Sequence, residues 1–338
     1  MPVAGILGTG LIGASIGMGL RQAGWHVRGW DEDEGTLRTA FERGALDETA
    51  AGVSDVAVGA DLFVIALPPR ATRHAVADLV GEVLTIDVAG VKAPIVSAAA
   101  RGARFVGTHP MAGREVSGPQ AASSSLFKGA AWVVATDGAS EADLASVEGV
   151  VRLLGARPVR MTAVAHDELV AAISHVPQLL AAALVTEAVG ADGALDLAAG
   201  SFRDLTRVAA SDPALWVEVL DANREAVSAT LARLKRRLDE FEASLVDAPA
   251  LGGLLAAARD ARSSLTARVT SVSIALADRP GELGKVGHAF EESGVDVRDI
   301  QLRHSPHGGG GVLTISVRPG DGDRLRVSLQ AAGLLVID

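Results

Sequence analysis

Over the first 160 residues the apolar positions fall into short unbroken runs, separated by stretches in which they recur every three or four residues. The first run, 2–7, carries Val3, Ile6 and Leu7 and reads as a buried strand. Leu11 to Ala23 has helical spacing and stops at Gly24, and Val27 to Trp30 makes a second strand. Asp61-Leu62-Phe63-Val64-Ile65-Ala66-Leu67 is a third, closed by Pro68-Pro69, which lack the N–H groups a ladder needs. A helix over about Arg70–Val80, a strand at Val83–Val88, a helix at Lys92–Arg101 and a strand at Arg104–Val106 continue the alternation. Trp132–Ala135 and Arg157–Arg160 add closing strands around a helix of about Glu141–Leu154. This alternation predicts an α/β fold over 1–160, a doubly wound parallel sheet of the Rossmann type.

The period changes after Thr162. Ala163 to Val189 is nearly all apolar and predicts one long helix; Asp212-Pro213 caps a second running towards Leu245, and a third covers roughly Ala248–Arg262. Helices this apolar must bury their faces, and a symmetric homodimer packed through an all-helical domain, 161–262, is the expected solution. Beyond a linker at Ser263–Arg268, Val269–Ala277 alternates as a strand. The turn Asp278-Arg279-Pro280-Gly281-Glu282-Leu283 leads into a helix ending near Ser293-Gly294. Strands at Val295–Arg303 and Gly311–Val317 flank a glycine loop at 308–311, and a helix (Asp323–Ala332) and a strand (Leu334–Ile337) follow. The order βαββαβ predicts a small ferredoxin-like domain over 263–338.

Composition narrows the function. The chain has 338 residues, half of them apolar, enough for two or three separate cores. It has no cysteine, so no disulfide framework and no thiolate chemistry, which fits a reducing, cytoplasmic setting. The formal charge of −10 argues against a nucleic-acid partner. No unbroken apolar run reaches bilayer length and the first strand begins at once, so neither a membrane span nor a leader is expected.

The chemistry begins at Gly8-Thr9-Gly10-Leu11-Ile12-Gly13, between the first strand and the first helix. Gly8 allows the tight turn, Gly10 lets backbone amides approach a diphosphate, and Gly13 lets helix and strand pack closely. The helix N-terminus favours the diphosphate charge. Asp31 ends the second strand, where a carboxylate accepts hydrogen bonds from ribose hydroxyls and repels a 2′-phosphate, so NAD is expected rather than NADP. Arg28 would favour the opposite choice if its side chain turned in. Ligands of such sheets bind beyond the carboxyl ends of the strands, which brings Leu67, Pro68 and Val88 to the same edge.

Three further features carry reactive groups. His109, in Thr108-His109-Pro110-Met111-Ala112-Gly113, follows a strand at that edge, where an imidazole serves as a base in hydride transfer. It equally fits a strand-end histidine without chemistry. His175 and Gln178 share one face of the long apolar helix, on either side of Pro177, and a paired core histidine is the plainer reading. His166-Asp167, about two turns earlier, reads as structural. Arg203 and Arg207 share a helical face with Asp204 close by, a pattern that suits a carboxylate receptor or an ordinary surface ion pair.

In this order GTGLIGAS, HPMAGRE, ISHVPQLLAAAL and FRDLTRVAASDPALW resemble the motifs of the prephenate/arogenate dehydrogenase family of tyrosine biosynthesis, over about residues 1–262. The resemblance implies NAD-dependent oxidative decarboxylation of prephenate to 4-hydroxyphenylpyruvate. It implies His109 as the catalytic histidine at the ring hydroxyl, Arg207 as the substrate-carboxylate arginine and His175 as a pocket histidine. Glu115 and Asp204 look like the partners of an ionic gate with that arginine. Two positions depart from the family pattern. Gly90 stands where members often carry a serine that supports the histidine, and Gln178 where many have histidine. The second departure bears on the choice between prephenate and arogenate. The last seventy residues resemble an ACT domain, with 278–283 as its strand-to-helix turn, which implies an amino-acid effector, L-tyrosine. The rival from another class is a non-catalytic NAD-binding amino-acid sensor.

Overall fold

The computed structural model describes every residue except 80, 101, 114–117, 266–268, 305–309 and 338, and the side chains of 264 and 265 are likewise left out. By packing, the chain forms two compact units, Met1–Lys235 and Arg236–Asp338.

The first unit opens with β1 (Val3–Leu7), α1 (Leu11–Gln22), β2 (His26–Trp30), α2 (Glu34–Glu42), β3 (Glu48–Thr49), α3 (Val53–Val56), β4 (Leu62–Ile65), α4 (Pro69–Leu79), β5 (Leu84–Asp87), α5 (Ala93–Val96) and β6 (Phe105–Val106). The six strands form one parallel sheet in the order β3-β2-β1-β4-β5-β6. β4 and β5 are buried along their whole length, which is why they read as unbroken apolar runs. The winding direction reverses between β1 and β4, opening a crevice beyond their carboxyl ends. The helix expected over 92–101 shrinks to the single turn of α5.

The expected closing strands do not extend this sheet. β7 (Thr108–Pro110), β8 (Ala131–Ala135) and β9 (Arg157–Met161), with α6 (Glu141–Leu153) between the last two, form a separate three-stranded sheet. β7 runs antiparallel to β8, and β8 parallel to β9. Buried Trp132, Val134, Leu144 and Val147 join Ile6, Leu62 and Ile86 in one continuous core, so the two sheets share their apolar interior.

The helices that follow are α7 (Ala163–Val170), α8 (Val176–Gly190), α9 (Gly200–Thr206), α10 (Pro213–Ala222) and α11 (Arg224–Ser244). The long helix is continuous over 163–190 but passes through a π turn, Ala171–His175, just before Pro177, whose ring and missing N–H disturb the α ladder. The second expected helix breaks into α10 and α11 at Asn223. Val219 and Trp216 of α10 pack with Val91, Ile95 and Phe63, so this helix shares a core with the parallel sheet.

The helix Ala163–Gly190 is long and apolar enough to cross a membrane by length and composition alone. The polar residues that interrupt its sequence, His166, Asp167, His175 and Gln178, are buried within this unit rather than placed towards solvent.

In the second unit, α12 (Ala248–Leu265) precedes β10 (Thr270–Leu276), α13 (Glu282–Ser293), β11 (Val297–His304), β12 (Gly311–Val317), α14 (Gly322–Ala331) and β13 (Leu335–Val336). The sheet is antiparallel in the order β11-β12-β10-β13, the expected ferredoxin-like topology. Val272, Ile274 and Leu276 alternate towards Val286, Ala289, Leu325 and Leu329, giving this unit its own core. The expected linker at 263–268 lies partly within α12, and 266–268 fall outside the described residues, as do 308 and 309 of the glycine loop at 308–311.

Candidate active site

The turn between β1 and α1 is closed by its glycines. Gly8 has φ of +91°, and a Cβ on Gly13 would lie 1.9 Å from the Gly8 carbonyl oxygen, so strand and helix approach as only glycine permits. A Cβ on Gly10 would meet nothing within 4 Å, and there the backbone faces open space. α1 has no acidic residue in its first turn and no side-chain cap, which leaves its N-terminal amides to bind an anion. Asp31 ties the turn to β2: its Oδ2 accepts from the Thr9 amide at 2.6 Å and from Thr9 Oγ1 at 3.3 Å. Arg28 points elsewhere, its Nε donating to Glu48 at 2.6 Å and its Nη1 to the carbonyl of Val58 at 2.8 Å. The one named residue that could cancel the acid's discrimination, Arg28, is therefore engaged, and the turn fits NAD. Leu67 and Pro68 follow β4 and Val88 follows β5, at the same carboxyl edge.

A cluster of imidazoles occupies that edge beside β5. A Cβ on Gly90 would stand 3.8 Å from both Cε1 and Nε2 of His109. On the other side of its ring, His109 Nδ1 lies 2.9 Å from His166 Nε2, and His166 Nδ1 lies 2.7 Å from Asp167 Oδ1. The Asp167 carboxylate also accepts the backbone amides of Lys92 and Ala93, each at 2.8 Å. Asn223, at the break between α10 and α11, donates from Nδ2 to the Asp167 carbonyl at 2.8 Å, and the same Nδ2 lies 3.1 Å from His175 Nδ1. The His175 ring meets Trp216 edge to face at 6.0 Å. Three separated segments, β7, the helix of α7 and the π turn, and the α10–α11 junction, thus converge on one site.

Beneath the imidazoles lies an ion pair between Lys92 and Asp87, both with side chains wholly buried. Asp87 Oδ2 also accepts the Ala89 amide at 2.9 Å and Oδ1 the Thr108 amide at 3.1 Å, so this acid joins the end of β5 to the start of β7. Burial pushes the Asp87 carboxyl above the usual range and the Lys92 amine below it, each held back by the other's charge. His109 is half-buried at its surface, but the protein around its ring lowers its pKa well below 6.5; His166, Lys92 and His175 add to that shift. Burial likewise brings His175 down to about 4, against the opposing pull of Asp167. Both imidazoles are neutral at neutral pH, and a neutral imidazole is what a general base requires.

The remaining expected residues sit apart from this cluster or outside the described set. Gln178 is buried one turn beyond His175, and its Oε1 has no hydrogen-bond partner among the described residues. Arg203, Asp204 and Arg207 lie exposed on α9 and the turn after it, with Arg203 Nε donating to the Ala198 carbonyl at 3.2 Å. Glu115 falls outside the described residues. In the second unit, Asp278, Arg279, Pro280 and Leu283 are exposed, Gly281 has φ of +92°, and Glu282 accepts from Lys285 at 2.7 Å. His166, Asp167, Lys92, Asp87 and Asn223 were missed as parts of the site. One signal was present: Asp167 and His175 are eight residues apart, about two turns, on a helix otherwise made of apolar residues.

The fold and the cluster define a nucleotide-dependent α/β dehydrogenase with a group of imidazoles at the carboxyl edge of its sheet. The model of the prephenate dehydrogenase nucleotide-binding domain matches residues 16–160, and that of the prephenate dehydrogenase dimerization domain matches 162–251. The prephenate dehydrogenase of Lactococcus lactis is 33% identical over 254 residues, covering 70% of this chain and 69% of its own. The Aquifex aeolicus prephenate dehydrogenase, solved in complex with hydroxyphenyl propionate and NAD+, is 25% identical with a TM-score of 0.71, covering 79% of this chain and 99% of its own. The Synechocystis arogenate dehydrogenase is 29% identical with a TM-score of 0.68, covering 79% of this chain and 100% of its own. The chain belongs to the prephenate dehydrogenase family.

Proposed function

We propose that the chain catalyses the NAD-dependent oxidative decarboxylation of prephenate to 4-hydroxyphenylpyruvate. The observation that carries this reading is the neutral His109, whose Nε2 faces the space beside Gly90 at the carboxyl edge of the nucleotide-binding sheet. NAD+ supplies the hydride acceptor, held by Gly8, Thr9, Gly10, Leu11, Ile12, Gly13, Asp31, Leu67, Pro68 and Val88. His109 Nε2 takes the proton of the ring C4 hydroxyl as the C4 hydride departs. Carbon dioxide then leaves C1, its bonding pair stays in the ring, and the proton returns to the oxygen of the new phenol. Aromatisation supplies driving force, so the chain's residues chiefly orient and hold the proton. Arg207, with Arg203 beside it, binds a substrate carboxylate; Glu115 and Asp204 gate that arginine, and His175 and Gln178 line the side-chain end.

The enzyme works as a soluble, cytoplasmic homodimer. Exposed Val164, Leu169, Ile173, Leu184 and Val189 on the long helix supply apolar surface for the dimer, and the dimerization-domain match covers that helix. The ferredoxin-like domain is an ACT-like module for L-tyrosine, with 278–283 at its effector turn and domain limits of 1–160, 161–262 and 263–338. A second reading has one observation in its favour. The buried Gln178 Oε1, without a partner among the described residues, suits a donor such as the ammonium of arogenate. Initial rates of NADH formation with each substrate decide between the two. In the same assay His109→Asn should lose about 10²–10⁴-fold in kcat with NADH binding unchanged; a near-normal rate overturns the mechanism.

A further inference from the structure

We infer that one acid, Asp167, sets the two pocket imidazoles in opposite tautomers, His109 as a bare acceptor and His175 as an N–H donor, through the positioning residues His166 and Asn223. The inference rests on His109 being the proton acceptor of the proposed reaction and on His166 carrying a single proton, and the hydrogen-bond chain then supplies the direction of the rest. Asp167 receives two backbone amides, one on each oxygen, and its Oδ1 also contacts His166 Nδ1 at 2.7 Å. A carboxylate only accepts, so His166 Nδ1 carries the hydrogen. With that single proton on Nδ1, His166 presents a lone pair at Nε2, to which His109 Nδ1, 2.9 Å away, donates. That leaves His109 Nε2 bare, on the side facing Gly90.

The second imidazole is fixed from the backbone of the same residue. The carbonyl of Asp167 also only accepts, so the group of Asn223 that lies 2.8 Å from it is the amide nitrogen. This nitrogen has a second hydrogen, and His175 Nδ1 lies 3.1 Å from it. His175 Nδ1 therefore accepts, and its Nε2 carries the proton. The site offers one nitrogen to remove a hydroxyl proton and one N–H for a substrate oxygen, and a reversed chain would leave no base. When His109 takes its proton, the Asp167 charge behind His166 steadies the imidazolium. A buried carboxylate that holds an imidazole in one tautomer is worth up to about 10⁴-fold in kcat in catalytic triads.

Two-bond proton–nitrogen NMR of the full-length enzyme, with signals assigned through His109→Asn and His175→Asn, reads the tautomers directly. At neutral pH His109 should be protonated at Nδ1 and His175 at Nε2. His166→Phe, which keeps bulk but removes the acceptor, should move the His109 proton to Nε2. It should also lower kcat about 10²–10⁴-fold, with the NADH dissociation constant unchanged. Asn223→Asp should require a proton at His175 Nδ1 and raise KM more than it lowers kcat. The inference is overturned if wild-type His109 is protonated at Nε2, if both rings share one tautomer, or if His166→Phe keeps kcat within threefold. Should the variants fail to fold, the wild-type spectrum still decides. Because that spectrum needs no turnover, correct tautomers with no prephenate oxidation would refute the proposed function and leave this inference standing.

Discussion

The two ends of the proposed pocket are built in opposite ways. At the imidazole end, Asp87, Lys92, His166 and His175 are almost completely enclosed, and each is bonded to a neighbour in the same chain. At the guanidinium end, Arg203, Asp204 and Arg207 stand exposed on a short helix and the turn that follows it. Burial makes the first end an electrostatic device whose pKa values and tautomers are set by the fold and barely screened by salt. Exposure leaves the proposed carboxylate receptor at the second end dependent on solvent and salt. Proton transfer needs a constant environment, whereas substrate capture needs an open one.

Breaking the enclosed end should have the largest effect. Lys92→Met leaves Asp87 buried without its counter-ion, and should cost about 3–5 kcal/mol in a urea unfolding titration; adding Asp87→Asn should recover part of the loss. A cost under 1 kcal/mol would mean that water reaches the pair. At the open end, Arg207→Ala should raise KM for prephenate roughly 10–100-fold, the worth of charge-assisted hydrogen bonds, with a smaller effect on kcat. That effect should shrink at high salt, and a change confined to kcat would remove Arg207 from substrate binding.

Acid sharpens the contrast. His175 titrates at about 4 and His109 well below 6.5 in the folded chain, while both take protons near 6.5 when unfolded. The unfolded chain thus binds more protons between those values, and stability should fall as pH drops from about 6.5 towards 4. The acid limb of the kcat profile should lie well below 6.5, since the base stays neutral there; a limb at or above 7 would contradict the burial of His109. The smallest expected effect is at the gap beside the base. Gly90→Ser places a hydroxyl within reach of His109 Nε2, where the Cβ position is 3.8 Å away. It should change kcat by no more than about tenfold, with the direction reporting whether the hydroxyl assists the base or occupies its acceptor nitrogen.

Much of the nucleotide turn was legible in the sequence because its parts are contiguous: glycines at fixed spacing, a strand before, a helix after and an acid at the next strand end. The ferredoxin-like order was legible for a similar reason, since β10 and β12 alternate every second residue towards one core. The second sheet was not, because a strand's apolar run is the same whether it pairs with β6 or with β8. His166-Asp167 read as structural because nothing in a helix's own periodicity tells which distant strand its polar pair will meet.

By itself the chain's sequence determined where backbone must turn tightly, which stretches bury one face or two, and which reactive side chains are available. Local sterics and hydrophobic periodicity act over a few residues and can be read from neighbours alone. Only the tertiary structure decided that His109, His166, Asp167, Asn223 and His175 form one hydrogen-bonded set, and that their environment keeps both pocket imidazoles uncharged. Desolvation and proton direction arise from atoms brought together from β7, α7, the π turn and the α10–α11 junction, so no single stretch of the chain contains them.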